Sequence, residues 1–146
     1  MSGEPIRSEF QGMARAHLRI GWWGLLVFIS LGITLEVLHA FKAGFYLDAT
    51  QEVRRSLWRL AHTHGALLSL LNVVFSLTLP RFRAGQTKRR ALASGCLAAA
   101  TLMIPAGFFA GGTFVHGGDP GVGVLLVPPG ALLLFVAVLL TALSIE

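Results

Sequence analysis

Four apolar stretches, Ile20–Phe41, Leu57–Leu79, Ala91–Val115 and Val124–Ile145, take up most of this 146-residue chain. A helix needs about 20 apolar residues to cross the hydrocarbon core of a bilayer, where every backbone N–H and C=O must be satisfied within the segment. Four runs of that length predict an all-α, polytopic membrane protein. The expectation is a four-transmembrane-helix bundle forming a single domain over residues 1–146, with no second domain. Charged residues make up 13% of the chain, against about 25% in soluble domains, which points the same way.

Charge sets the expected orientation. The net charge of +5 would suit nucleic acid in a soluble protein, but here it reads as a topology signal and no nucleic-acid partner is expected. Arg7, Arg15 and Arg19 precede the first span, and Arg81, Arg83, Lys88, Arg89 and Arg90 fill the second loop. Lys42, Arg54 and Arg55 in the first loop are offset by Asp48 and Glu52, and the third loop carries only Asp119. By the positive-inside rule both termini and the second loop are cytoplasmic, which suggests a bacterial inner membrane. The first 19 residues are polar and are expected to form a cytoplasmic tail, with His17 solvated. The apolar run after them outlasts the 7–15 residues, roughly, of a signal-peptide core. Trp22 and Trp23 at one edge, and Tyr46 and Trp58 at the other, stand where an aromatic belt is expected.

Punctuation refines the helices. Asp48 followed by Gln51 resembles a capping box, so the second helix is expected to start near Ala49, above the membrane. Pro80 ends it. Gly107 and Gly111, four apart in the third helix beside Pro105, let a neighbour approach closely. Pro128 and Pro129 suit the first turn of the last helix, leaving Gly117–Val127 as a loop and a candidate lid over a site. The single cysteine, Cys96, excludes an internal disulfide and a Cys-based zinc site and reads as a small buried apolar residue.

The polar residues gather at one level. With this topology His39 ends span one, His62 and His64 open span two and His116 ends span three, so all four reach the outer face with Glu36 and Asp119. Glu36 and His39 are three apart and share a helix face. At about 100° per residue, His62 lies on a stripe of small and polar residues with Gly65, Ser69, Asn72 and Ser76, which is expected to face the bundle. His64 is turned away and is expected at the loop, the headgroups or another helix. Gly112 and His116 are four apart and are expected to share a face. A carboxylate a turn inside the membrane needs a partner, for which His39 and Arg59 are candidates. Imidazole suits haem iron, copper, zinc and non-haem iron. A single Glu-x-x-His is too little for a di-iron site, which takes two such motifs and two further carboxylates. Two readings stay open: a mononuclear copper, iron or zinc ion held by His39, His62, His116 and Glu36, or a b-type haem with two of the histidines as axial ligands. His64, Asp119 and Asn72 are secondary candidates around either.

The stretch "RLAHTHGALLSL" from Arg59 resembles the second-helix segment of haem–copper oxidase and nitric oxide reductase catalytic subunits. In that family the first histidine is an axial ligand of the low-spin haem near the outer face, and a small residue follows seven positions later. The resemblance implies that His62 is a haem ligand, with Ser69 as the small residue and Arg59 near the propionates. It covers only Arg59–Leu77. The late helices that carry the family's other ligands have no counterpart here, so this chain by itself is not an oxygen-reducing oxidase. The layout as a whole resembles small four-helix bacterial membrane proteins of unknown function with His-x-His at the start of helix two. "RLAHTHG" also resembles the Arg-Ala-His motif of membrane-associated glutathione and eicosanoid enzymes. The glutamate and proline expected after that motif are replaced by Leu and Ser.

The expected function is therefore haem b or single-metal binding at the periplasmic side, in a redox or metal-handling role. Electron relay and enzyme both remain open. The alternatives are a non-catalytic accessory or assembly subunit of a membrane complex and, further off, a glutathione- or eicosanoid-type enzyme. The expected partners are the lipid bilayer and either a second copy of the chain or a larger membrane complex.

Overall fold

The computed structural model describes residues 4–47, 52–83 and 85–145. The capping pair Asp48 and Gln51 lies outside them. Among the described residues the chain is all-helical: α1 (Glu4–Ala40), a short α2 (Gly44–Leu47), α3 (Glu52–Thr78), α4 (Thr87–Thr113) and α5 (Val127–Ala142). Tight 3-10 turns extend α3 over Leu79–Arg81 and lead into α5 over Val122–Leu126. Four helical stretches are long and apolar enough to cross a membrane: Phe10–Ala40, Glu52–Arg81, Thr87–Thr113 and Val122–Ala142.

The first of these begins ten residues before Ile20, the expected start. Phe10, Met13 and Ala14 recur at helical spacing and pack on a buried cluster of Phe75, Leu79, Phe82 and Leu97. Burial of this apolar stripe carries the helix down through what reads as a polar tail.

The helices pack in chain order. α1 lies along α3, α3 along α4, and α4 along α5, while α1 and α4 barely touch. α3 is thus central and has a helix on each side. Its contact with α1 is close because small residues line it. A side chain on Gly24 would strike Ser69, one on Gly32 the His62 ring, and one on Gly65 the Phe28 ring. On the other flank, Gly107 and Gly111 of α4 lie against the segment Gly121–Val127, the close approach expected of that pair. The segment read as a lid is therefore bound to α4.

The expected inner end is tied together through its loop. Arg90 donates to the carbonyls of Phe82 and Arg83 at 3.0 and 2.8 Å, and Arg83 N–H donates to Ser144 at 2.9 Å.

Candidate functional site

At the end of the α1–α3 pair where α1 stops and α3 begins, the helices part around a polar cleft of about 740 Å³. α1 contributes Glu36 and His39, one turn apart. α3 contributes Arg55, Arg59 and His62, and α2 contributes Tyr46. The spacing of 55, 59 and 62 puts these three on one side of α3, the side that meets α1. His62 is half-buried where Gly32 leaves room for its ring, and its Nδ1–H donates to the Phe28 carbonyl at 2.7 Å. That bond sets the tautomer and leaves Nε2 as the nitrogen with a lone pair.

Tyr46 and Trp58 do not form the expected lipid-facing belt. Tyr46 is only 2% exposed and stacks on Trp58, which stacks on Phe109. Trp58 Nε1–H donates to the Phe109 carbonyl at 3.3 Å. Arg54 lies over the Trp58 ring and donates to Gly112 and Phe45 carbonyls at 3.2 and 3.4 Å. These aromatic rings lock α2 and α3 to the end of α4. Trp22 and Trp23, by contrast, are exposed.

Other site candidates lie elsewhere. His64 faces α4, its ring 5.0 Å from that of Phe108, with Nδ1–H donating to Leu60. His116 does not share a helix face with Gly112, because α4 ends at Thr113. It opens a tight turn in which it and Asp119 exchange backbone hydrogen bonds of 3.2 and 3.0 Å. Gly117 and Gly118 take φ of +59° and +90° there, values that favour glycine at both central positions. The turn follows α4, whereas the cleft opens between α1 and α3, and neither His116 nor Asp119 lines it. Among the described residues, no three of His, Cys, Asp and Glu converge closely enough to hold a metal ion.

One of the most buried polar groups is a histidine read as solvated. His17 is 2% exposed and joins three helices. Its Nδ1–H donates to Asn72 Oδ1 at 2.6 Å, and its Nε2 is hydrogen-bonded to Ser94 Oγ at 2.8 Å. Asn72 Nδ2 in turn donates to the Leu68 carbonyl and to Thr101 Oγ1, both at 2.8 Å. Thr101 completes the chain by donating to Leu97 at 2.7 Å. Each buried polar atom of this network has a partner, as a low-dielectric interior demands. The signal for His17 was its place in the series Phe10, Met13, Ala14, His17, all on one face of α1.

The fold and the cleft define a class: an all-helical chain with four helices long and apolar enough to span a membrane, and a histidine–arginine cleft at one end of its first helix pair. Comparison with known protein families, with curated proteins and with solved structures finds no match.

Proposed function

We propose that this chain is a multi-pass protein of the bacterial cytoplasmic membrane that binds a b-type haem in its periplasmic cleft and passes electrons through it. Both termini and the α3–α4 loop face the cytoplasm in this reading, and lipid covers the exposed apolar faces of α1 and α5. His62 supplies one axial imidazole through Nε2, His39 is the candidate for the second, and Arg59 pairs with a propionate. The observation that carries the reading is the bond from His62 Nδ1–H to the Phe28 carbonyl. Histidines that ligate metals characteristically donate their other nitrogen in this way. The cleft, about 740 Å³, lies within the range of cofactor sites, roughly 300–1,000 Å³. Glu36, His39 and His62 line one cleft but, like every other set of three such donors among the described residues, are not close enough to hold a metal ion, which favours haem over a mononuclear copper, iron or zinc centre.

The test is an absorption spectrum of the purified full-length protein, as isolated and after addition of haemin. A Soret band at one haem per chain is expected. It should be lost in folded His62→Ala and unchanged in His116→Ala and His64→Ala. Wild-type protein that stays colourless after haemin addition would refute the proposal.

A second reading has its own observation. The same His62–Phe28 bond links α1 to α3, so the histidine also suits a packing role in an accessory or assembly subunit. In that case His62→Ala lowers stability and no cofactor spectrum is ever obtained.

A further inference from the structure

Arg55 and Arg59 stand one turn apart on α3 and form a ridge between two depressions. One is the cleft with His39 and His62. The other, about 350 Å³, lies on the far side of the ridge and is lined by Glu52, Ser56 and Thr63 besides the two arginines. Like charges four residues apart on a helix repel. Among the described residues no carboxylate forms an ion pair with either guanidinium, whereas neighbouring Arg54 is occupied by two backbone carbonyls. Thr63 is turned back to the Arg59 carbonyl at 2.9 Å, which leaves the two guanidiniums as the principal donors of this depression. Two planar forks separated by one turn match the oxygens of a tetrahedral oxyanion, and the depression is too small for a porphyrin.

We propose that Arg55 and Arg59 form a phosphate-binding site on the far side of the ridge, which shares Arg59 with the haem reading but does not require a bound haem. The ligand chemistry is a phosphate group, carried either by a lipid headgroup or by free phosphate. Glu52 at the rim limits the charge, so that the site takes a singly charged phosphate diester more readily than a dianion.

The experiment uses the full-length protein purified in a phosphate-free maltoside detergent. One arm titrates inorganic phosphate by calorimetry. The other measures by native mass spectrometry the lipid retained from phosphatidylglycerol vesicles and from phosphate-free galactolipid vesicles. Retention of phosphatidylglycerol over galactolipid is expected, falling about tenfold for each arginine removed, in Arg55→Gln and in Arg55→Gln/Arg59→Gln. Arg89→Gln, on the exposed start of α4, should change nothing. Saturable phosphate binding that displaces the lipid assigns the site to free phosphate, and lipid retention without phosphate binding assigns it to the headgroup. If wild-type protein binds neither probe, or the folded double variant binds both as wild type does, the proposal is overturned. A Soret band without phosphate or lipid binding would sink this site alone, and phosphate or lipid binding without a Soret band would sink only the haem reading.

Discussion

His17 shows how much one side chain can decide. Its ring bridges Asn72 and Ser94 and lies edge-on to Phe75 at 4.7 Å, so that α1, α3 and α4 meet at a single imidazole. Removing it leaves the fully buried Asn72 oxygen without its donor, and an orphaned buried polar group costs about 1–3 kcal/mol, to which a cavity adds. His17→Ala is therefore expected to destabilise the protein by about 2 kcal/mol or more. The measurement is reversible unfolding in mixed micelles. His116→Ala, at an exposed turn, should stay within about 0.5 kcal/mol of wild type. Equal stability of the two variants would show that the network contributes nothing. His17 was misread from sequence because a histidine beside arginines before the first long apolar run looks solvated. Only the face it shares with Phe10, Met13 and Ala14 hinted otherwise.

At the scale of elements, the α1–α3 contact rests on residues with little or no side chain. Gly21 of α1 comes so close to α3 that a Cβ there would sit 2.8 Å from the Ser69 carbonyl, which is backbone and has no room to give. Gly24→Val is expected to push the helices apart at a cost of about 1–3 kcal/mol, the usual penalty for overpacking. Gly32→Val should also displace His62 from the Phe28 carbonyl, and with it any ligand signal that depends on that imidazole. Gly12, in the same helix but facing open space, behaves in the opposite way. Gly12→Ala should stabilise α1 by roughly 0.5–1 kcal/mol through helix propensity alone. Thermal unfolding of the three variants checks the contrast, and a loss of stability in Gly12→Ala would contradict it. The stripe Gly65, Ser69, Asn72 and Ser76 was legible from periodicity, and all four residues are buried. Less legible was α3's opposite side, where His64 meets Phe108, because periodicity does not reveal that a helix has neighbours on both sides.

At the scale of the whole molecule, the helices stand in sequence order with α3 and α4 inside and α1 and α5 outside. About 11% of the most apolar window of each outer helix is buried, against 39% and 44% for the inner two. Such wide uncovered faces, bearing Trp22, Trp23, Ile33, Leu132 and Phe135, fit a lipid environment. The proposed orientation makes a direct prediction. In a Cys96→Ala background, Asp119→Cys should react in intact cells with a maleimide that does not cross the inner membrane. Lys88→Cys should react only after that membrane is opened. The reverse pattern would invert the topology and move the cleft to the cytoplasmic side.

Hydropathy by itself determined that there are four long helices and placed them within a few residues for α3 and α4, because length and apolarity are local properties. Helical period likewise determined which residues share a face of α3, and charge and span ends determined that Glu36, His39, His62 and Arg59 reach one level. Only the tertiary structure decided which of those residues meet. Level along a helix says nothing of direction around it. His116 lies in the turn that follows α4 and does not line the cleft between α1 and α3, so the expected three-histidine set with Glu36 does not assemble, while Arg55 and Tyr46 join the cleft unforeseen. The start of α1 was likewise set by tertiary contact, since residues 10–19 are too polar for hydropathy to include. They are held helical by the core that Phe10, Met13, Ala14 and His17 enter. Period and composition are written along the chain, but the partner of each face comes from contacts between residues distant in sequence.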